Sequence, residues 1–331
     1  MDNPVLVEVT RGSLVESRHR GAIAIADADG AIVQAIGDID RPVFPRSAIK
    51  ALQALPLLET GAADALGITA EELALCCSSH NGEDGHVHGA RAILTKAGMD
   101  DGALECGPQP PYHEHDQAIL HKTDSSPCPI HNNCSGKHAG FLALASHMGV
   151  EPGGYIEAGH QVMSEVRQAQ AEMVDYTLSD EASGTDGCSI PTYAMPLKNL
   201  AVAFARFGTG AGLEPVRADA CRRLYDACVS HPLMVAGTGR FCTNAMALFG
   251  GRVFVKTGAE GVFTAAIPEL GLGVALKCDD GTTRASEVMM AEVINRLLDD
   301  ASDVEGFRQL LTPELRNRND RLVGVVRPVN W

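Results

Sequence analysis

The segment RVFVKTGAEGVFTAAIPELGLGVALKCDDG, residues 252–281, holds three short apolar runs separated by glycine-containing turns. Alternating apolar and small residues over so few positions fit strands rather than helices. The spacing predicts an antiparallel meander of three strands. GAIAIADADGAIVQAIGD, residues 21–38, has the matching character near the other end of the chain. Its two alternating runs flank Asp27-Ala28-Asp29-Gly30, so it reads as a β-hairpin in which Gly30 takes a left-handed turn position. A final helix is expected over roughly 283–299, and a polar tail ends in VVRPVNW.

Between these ends the pattern is helical. Residues 46–58, RSAIKALQALPLL, carry Ile49, Leu52, Leu55 and Leu58 at helical spacing. Residues 70–150 hold helical patterns broken by loops rich in Pro, His, Cys and Asn, and 154–180 and 212–230 read as amphipathic helices. The expected fold class is α/β of the α+β kind. One antiparallel sheet draws on both termini, the last helix packs on it, and a helical region is inserted between. A single domain over 1–331 is expected, with a sheet subregion at about 1–45 and 245–331 and a helical and loop subregion at about 46–244. That layout puts the Ser47 segment and the 253–257 strand at a shared boundary.

The formal net charge is −15, from 27 basic and 42 acidic residues. Such a balance argues against nucleic acid or an anionic membrane as partner. No apolar run approaches the roughly 18 residues that span a bilayer. The N-terminus shows no basic stretch leading into an apolar one, so no signal peptide is read and a cytoplasmic location is expected. The 10 cysteines are expected as thiols in a reducing compartment, some of them ligating metal.

Three short motifs carry the chemistry. Ser47 and Lys50 form S-x-x-K, which on a helix puts a hydroxyl and an amine on one face. Ser79-His80-Asn81 forms S-x-N in a polar loop after an apolar run. Lys256-Thr257-Gly258 ends a predicted strand. Each alone has a bland reading: a capped helix, an Asn-Gly turn and a strand exit. In this order, however, they resemble the motif set of the penicillin-recognising serine enzymes, whose layout also matches the one inferred above.

A fourth region is not needed by that chemistry. CPIHNNCSGKHAGFL (128–142) brings Cys134, Lys137 and His138 together, and GTDGCSIPTYAMPL (184–197) adds Asp186 and Cys188. Two thiolates and one nitrogen would suit zinc. Chemistry alone points to His138 or His131 as the nitrogen, because a lysine must first lose its proton.

Together, FPRSAIK, CSSHNGE, HNNCSGKHAG, GTDGCSIP and KTGAEG resemble the bacterial L-asparaginase II family of the Rhizobium etli type. The resemblance implies a serine-β-lactamase-like fold, a homodimer, and hydrolysis of L-asparagine to L-aspartate and ammonia. It implies Ser47 with Lys50 and Ser79 with Lys256 as catalytic serine–lysine pairs. It implies Cys134, Lys137 and Cys188 as ligands of a Zn2+ cofactor, with lysine in place of the histidine that chemistry suggested. It further implies Arg46, His138 and Asp186 as substrate contacts, and it places Cys242, in GRFCTNAM, beside the active site. The expected reaction is attack by Ser47 on the side-chain amide, with Lys50 as base and Ser79 and Lys256 passing the proton to the leaving nitrogen.

Overall fold

A computed structural model describes residues 2–112, 114–122 and 126–329. Its strands in chain order are β1 (Val5–Arg11), β2 (Leu14–Asp27), β3 (Ile32–Ile36), β4 (Pro42–Val43), β5 (Ser183–Thr185), β6 (Pro191–Tyr193), β7 (Met195–Pro196), β8 (Phe254–Thr257), β9 (Val262–Ile267), β10 (Leu272–Cys278), β11 (Glu314–Arg316) and β12 (Leu322–Pro328). The main sheet has the order β11-β12-β1-β2-β10-β9-β8, with β3 paired to β2. Every pairing is antiparallel.

The meander over 252–281 is β8, β9 and β10, and the hairpin over 21–38 is β2 and β3 with Gly30 at φ +95°. β10 pairs along β2 from Leu272–Asp27 to Cys278–Gly21, which joins the two ends of the chain into one sheet. The expected α+β architecture is therefore present. Two features were not expected. The N-terminus adds β1 and a first half to β2, and the polar tail is strand β12, paired to β1.

Burial explains the centre of the sheet. All six residues of β9 are buried, because helix Leu197–Thr209 packs against β10 and β9 while helix Thr283–Leu297 also packs against both. A strand covered on both faces loses its polar alternation and reads as continuously apolar. Each fully buried Val, Ile or Phe there contributes roughly 1.5 to 3 kcal/mol. Gly273 sets the contact distance with helix Leu197–Thr209. A Cβ there would stand 2.1 Å from the Ala201 carbonyl oxygen and the Ala205 nitrogen.

The helical expectations hold in part. Residues 161–174 and 215–230 are helical, whereas 154–160 and 175–180 are turns and extended chain. The single helix expected at 46–58 is three pieces: a 3-10 turn Arg46–Ile49 and short helices Lys50–Gln53 and Leu55–Glu59. Pro56 lacks the N–H that would continue the ladder and sits at the break.

Candidate active site

Ser47 lies in the 3-10 turn, at the boundary between the helical region and the sheet. With three residues per turn, Ser47 and Lys50 face the same way. The turn is seated on β8 and β9. Thr264 Oγ1 donates to the Ala48 carbonyl at 2.9 Å. Gly258 presses against the turn so closely that a Cβ would meet the Pro45 oxygen at 2.8 Å and the Ala48 nitrogen at 2.9 Å. The glycine of Lys-Thr-Gly is thus a steric requirement of the Ser47 turn.

Lys50 is fully buried and does not bond Ser47. Its ammonium donates to the Ser78 carbonyl, to Ser79 Oγ at 3.1 Å and to Cys134 Sγ at 3.0 Å. Lys256 Nζ lies 2.8 Å from Ser79 Oγ and 2.8 Å from the Thr257 carbonyl. Ser79 therefore stands between two lysines. Burial, with the charge of Lys50 adding to it, lowers Lys256 to a pKa of about 7. Ser47 is half-buried, and among the described residues no protein group hydrogen-bonds its hydroxyl.

Asn81 supports this arrangement from the side. It accepts from Arg240 at 3.0 Å and donates to the Thr238 carbonyl at 3.1 Å. His80 is scaffold: its Nδ1 accepts the Gly82 N–H, and its Nε2 lies 2.9 Å from Ser135 Oγ. Cys242 is buried and hydrogen-bonded to the Thr257 backbone; burial raises its thiol while Lys256 and Arg240 pull against it.

The second group comes from helix Ser135–Met148 and the loop before β6. Helix Ser135–Met148 approaches Leu75 closely at Gly136, where a Cβ would be 2.5 Å from the Leu75 oxygen. Cys134, Lys137 and Cys188 are all buried. Lys137 Nζ is 3.1 Å from Cys188 Sγ. Cys134 and Cys188 share a hydrogen, which lowers Cys134 well below an ordinary thiol and raises Cys188. Burial pushes the Lys137 amine down, but the two thiols and Asp186 overcome this and raise it. The shared hydrogen and the neighbouring Lys50 and Lys137 all favour the thiolate form of Cys134, whose Sγ also lies 3.0 Å from Asn133 Oδ1. Two sulfurs and one amine converging in a buried site fit zinc, which would displace the shared proton and the lysine proton on binding. His131 faces elsewhere, with Nδ1 accepting the Cys128 N–H at 3.2 Å.

Arg46 and Asp186 meet each other: Arg46 Nε donates to Asp186 Oδ1 at 2.7 Å. Burial raises the Asp186 carboxyl, and Lys137 and Arg46 more than reverse that. Arg46 has φ +50°, a left-handed conformation that costs a non-glycine residue about 1 to 2 kcal/mol. His138 is fully buried, with Nδ1 2.7 Å from the Tyr155 hydroxyl. Burial, then Lys137 and Lys50, hold it well below its usual pKa.

The structure thus gathers Lys50, Ser79 and Lys256 in one hydrogen-bonded chain that touches Cys134, and Cys134 in turn adjoins Lys137 and Cys188. Arg240, present in the sequence reading only as a neighbour of Cys242 in GRFCTNAM, is given no role there, and Tyr155 is marked by no motif. A further group, His19, Cys278 and Asp280, brings its ligand atoms within 4.8 Å of one another. These side chains bond one another, Asp280 accepting from His19 Nδ1 at 2.6 Å and from the Cys278 thiol at 3.0 Å.

The model of the family L-asparaginase II matches residues 7–328. The chain belongs to the L-asparaginase II family. No curated protein matches the sequence. Among solved structures, the chain is similar to Mglu, at 14% identity and a TM-score of 0.47 over 84% of this chain and 66% of that one. A form of Mglu in 4.3 M NaCl gives 15% identity and a TM-score of 0.48, over 89% and 65% of the two chains. A β-lactamase from Mycobacterium bovis gives 14% identity and a TM-score of 0.44, over 84% and 94%. This chain spans just under two thirds of Mglu's length. TM-scores below 0.5 decide nothing about the site. No helix among the described residues is long and apolar enough to cross a membrane.

Proposed function

We propose that the protein hydrolyses the side-chain amide of L-asparagine to L-aspartate and ammonia through a serine acyl-enzyme. The observation that carries this reading is the unbroken chain from Lys50 through Ser79 to Lys256, beside the Ser47 turn of an L-asparaginase II chain. Ser47 Oγ attacks the amide carbonyl carbon, and the hydroxyl proton passes through the serine–lysine chain to the departing nitrogen. Ammonia leaves, and water then cleaves the β-aspartyl ester, returning the proton to Ser47.

The charge states suit these roles. A lysine at its ordinary pKa of about 10.4 would be neutral in about one molecule in 2,500 at pH 7. Lys256, at about 7, is neutral in a large fraction. Lys50 donates to the Ser78 and Asn133 carbonyls, to Ser79 Oγ and to Cys134 Sγ, and so anchors one end of the serine–lysine chain. Arg46 keeps its terminal nitrogens, and Asp186 its second oxygen, free of protein partners among the described residues. These atoms would hold the α-carboxylate and the α-amine. Cys134, Lys137 and Cys188 would hold Zn2+, whose contribution is a fixed positive charge that shapes the substrate site. A homodimer, tested by light scattering, completes the reading.

A second reading makes Ser79 the nucleophile. It is favoured by the direct contact of Ser79 with Lys256. Mass spectrometry of the acid-quenched acyl-enzyme separates the two, since the ester sits on the peptide containing Ser47 or on that containing Ser79.

Parallel ammonia-release assays with asparagine and glutamine test the substrate. One added methylene lengthens the substrate by roughly 1.5 Å. Lost discrimination and a misplaced carbonyl together should favour asparagine by about 1,000-fold in kcat/KM. Comparable values would leave a general amidohydrolase of short amino-acid amides.

A further inference from the structure

Tyr155 is fully buried, in the turn that precedes helix Gln161–Val174. Its hydroxyl oxygen accepts the Glu105 backbone N–H at 3.0 Å and lies 2.7 Å from His138 Nδ1. The Glu105 carboxylate in turn accepts the Gly154 N–H at 2.8 Å, so the turn and Glu105 hold each other in place. A phenol has one hydrogen to give. Among the described residues the only acceptor it meets is His138 Nδ1. The hydroxyl hydrogen therefore goes to Nδ1, and the imidazole's own hydrogen sits on Nε2.

His138 Nε2 is buried and has no hydrogen-bond partner in the protein. A buried donor left unmet is costly, so such groups are normally met by something that binds. The ring cannot rotate freely to find a partner. It is wedged edge-on against Tyr155, at 5.4 Å between ring centres, and against Phe141, at 5.8 Å. It directly follows Lys137 in the helix that carries the proposed metal ligands.

We propose that Tyr155 is a positioning residue that fixes His138 in its Nε2–H form, so that His138 donates a hydrogen bond to an oxygen of the bound substrate. The identity of that ligand rests on the amidohydrolase reading above; the tautomer does not.

The test uses the full chain grown with 15N-labelled histidine, the His138 signals being those lost in His138→Asn. In the unmodified protein, Nδ1 should show a hydrogen-free shift and Nε2 a protonated one. In Tyr155→Phe, which keeps the ring and loses the hydroxyl, the two forms should mix or exchange. KM for asparagine should rise about tenfold or more, with a smaller change in kcat. A proton on Nδ1 in the unmodified protein overturns the proposal. So does a Tyr155→Phe chain with the tautomer and KM unchanged, even if its melting temperature falls. If Tyr155→Phe does not fold, the spectrum of the unmodified protein still decides. If the unmodified protein releases ammonia from no amino-acid amide, the substrate reading fails alone, and the spectra still decide the role of Tyr155.

Discussion

Lys256 and Lys137 are the same side chain at nearly the same depth, 1% and 2% exposed. Burial acts on both in the same direction, against the charged form. At Lys256 the charged neighbours include Lys50 and Arg240, which add to burial, and the amine falls to about 7. At Lys137 the neighbours are Cys188, Cys134 and Asp186, which reverse burial and keep the ammonium. Depth alone therefore does not set the charge of a buried lysine; the sign of its neighbours does. In the proposed reading, one corner of the site supplies the base and the other would hold the metal. Lys50 spans the two, contacting Ser79 at one end of its reach and Cys134 at the other.

The largest effect should come from removing the hydroxyl that the base corner serves. Ser47→Ala should lower kcat by about 10,000-fold or more with little change in melting temperature, measured by ammonia release and calorimetry. A fully active Ser47→Ala would move the nucleophile to Ser79. Next, Lys256→Met should cost about 100- to 10,000-fold in kcat, the usual worth of a general base. Lys256→Arg should cost as much, because it restores bulk and charge without a lone pair; substantial rescue by arginine would mean that charge, not basicity, is what the corner supplies.

The metal corner should respond differently. Lys137→Met or Cys188→Ser should lose most of the bound zinc by elemental analysis of the purified protein. If the metal shapes the substrate site, KM should rise about 10- to 100-fold while kcat falls less. Collapse of kcat with KM unchanged would give the metal a chemical role instead.

The pH dependence is the subtlest. With Lys256 as the proposed base, the active form is the neutral one, so kcat should rise with pH through a midpoint near 7 and level off above it. A flat profile across the same range would remove Lys256 as the base. Stability carries the matching sign. Between about 7 and the ordinary lysine pKa of about 10.4, the unfolded chain holds a proton that the folded one lacks, so this group's contribution becomes less unfavourable as pH rises. Below pH 7 its penalty is complete. Lys256→Met should therefore melt higher than the unmodified protein at pH 6, and the gain should shrink towards pH 10.

The two corners also differ in how far the sequence foretells them. Ser47–Lys50, Ser79–Asn81 and Lys256–Gly258 stand out because local spacing encodes them, and the meander over 252–281 does so through its glycine turns. The Lys50–Ser79 contact was not encoded that way. Spacing placed Lys50 on the same face as Ser47, whereas tertiary packing of the 46–58 segment directs its amine to Ser79 and Cys134. β12 was hidden for a related reason. Its partner β1 lies at the other end of the chain, and Gly324 and Arg327 blur its alternation, while Gly324 is required because a Cβ there would reach the Thr10 oxygen at 1.9 Å. Tyr155 was silent because its importance rests on one hydroxyl hydrogen, which no residue pattern records.

The seat of the Ser47 turn on Gly258 has a consequence for how the protein matures. Gly258 follows the edge strand β8, and β8 joins the rest of the sheet through β9, β10 and β2. The turn has no clearance of its own, because the backbone at Pro45 and Ala48 is pressed to within contact of that glycine. An early segment of the chain thus reaches its working shape only when a segment made some two hundred residues later, by residue number, has folded behind it. Activity should appear late in refolding, together with the closing of the sheet, while helices from the middle of the chain form earlier and do no chemistry. Gly258→Ala would show the same dependence in the finished molecule, as a loss of turnover out of proportion to the loss of helix.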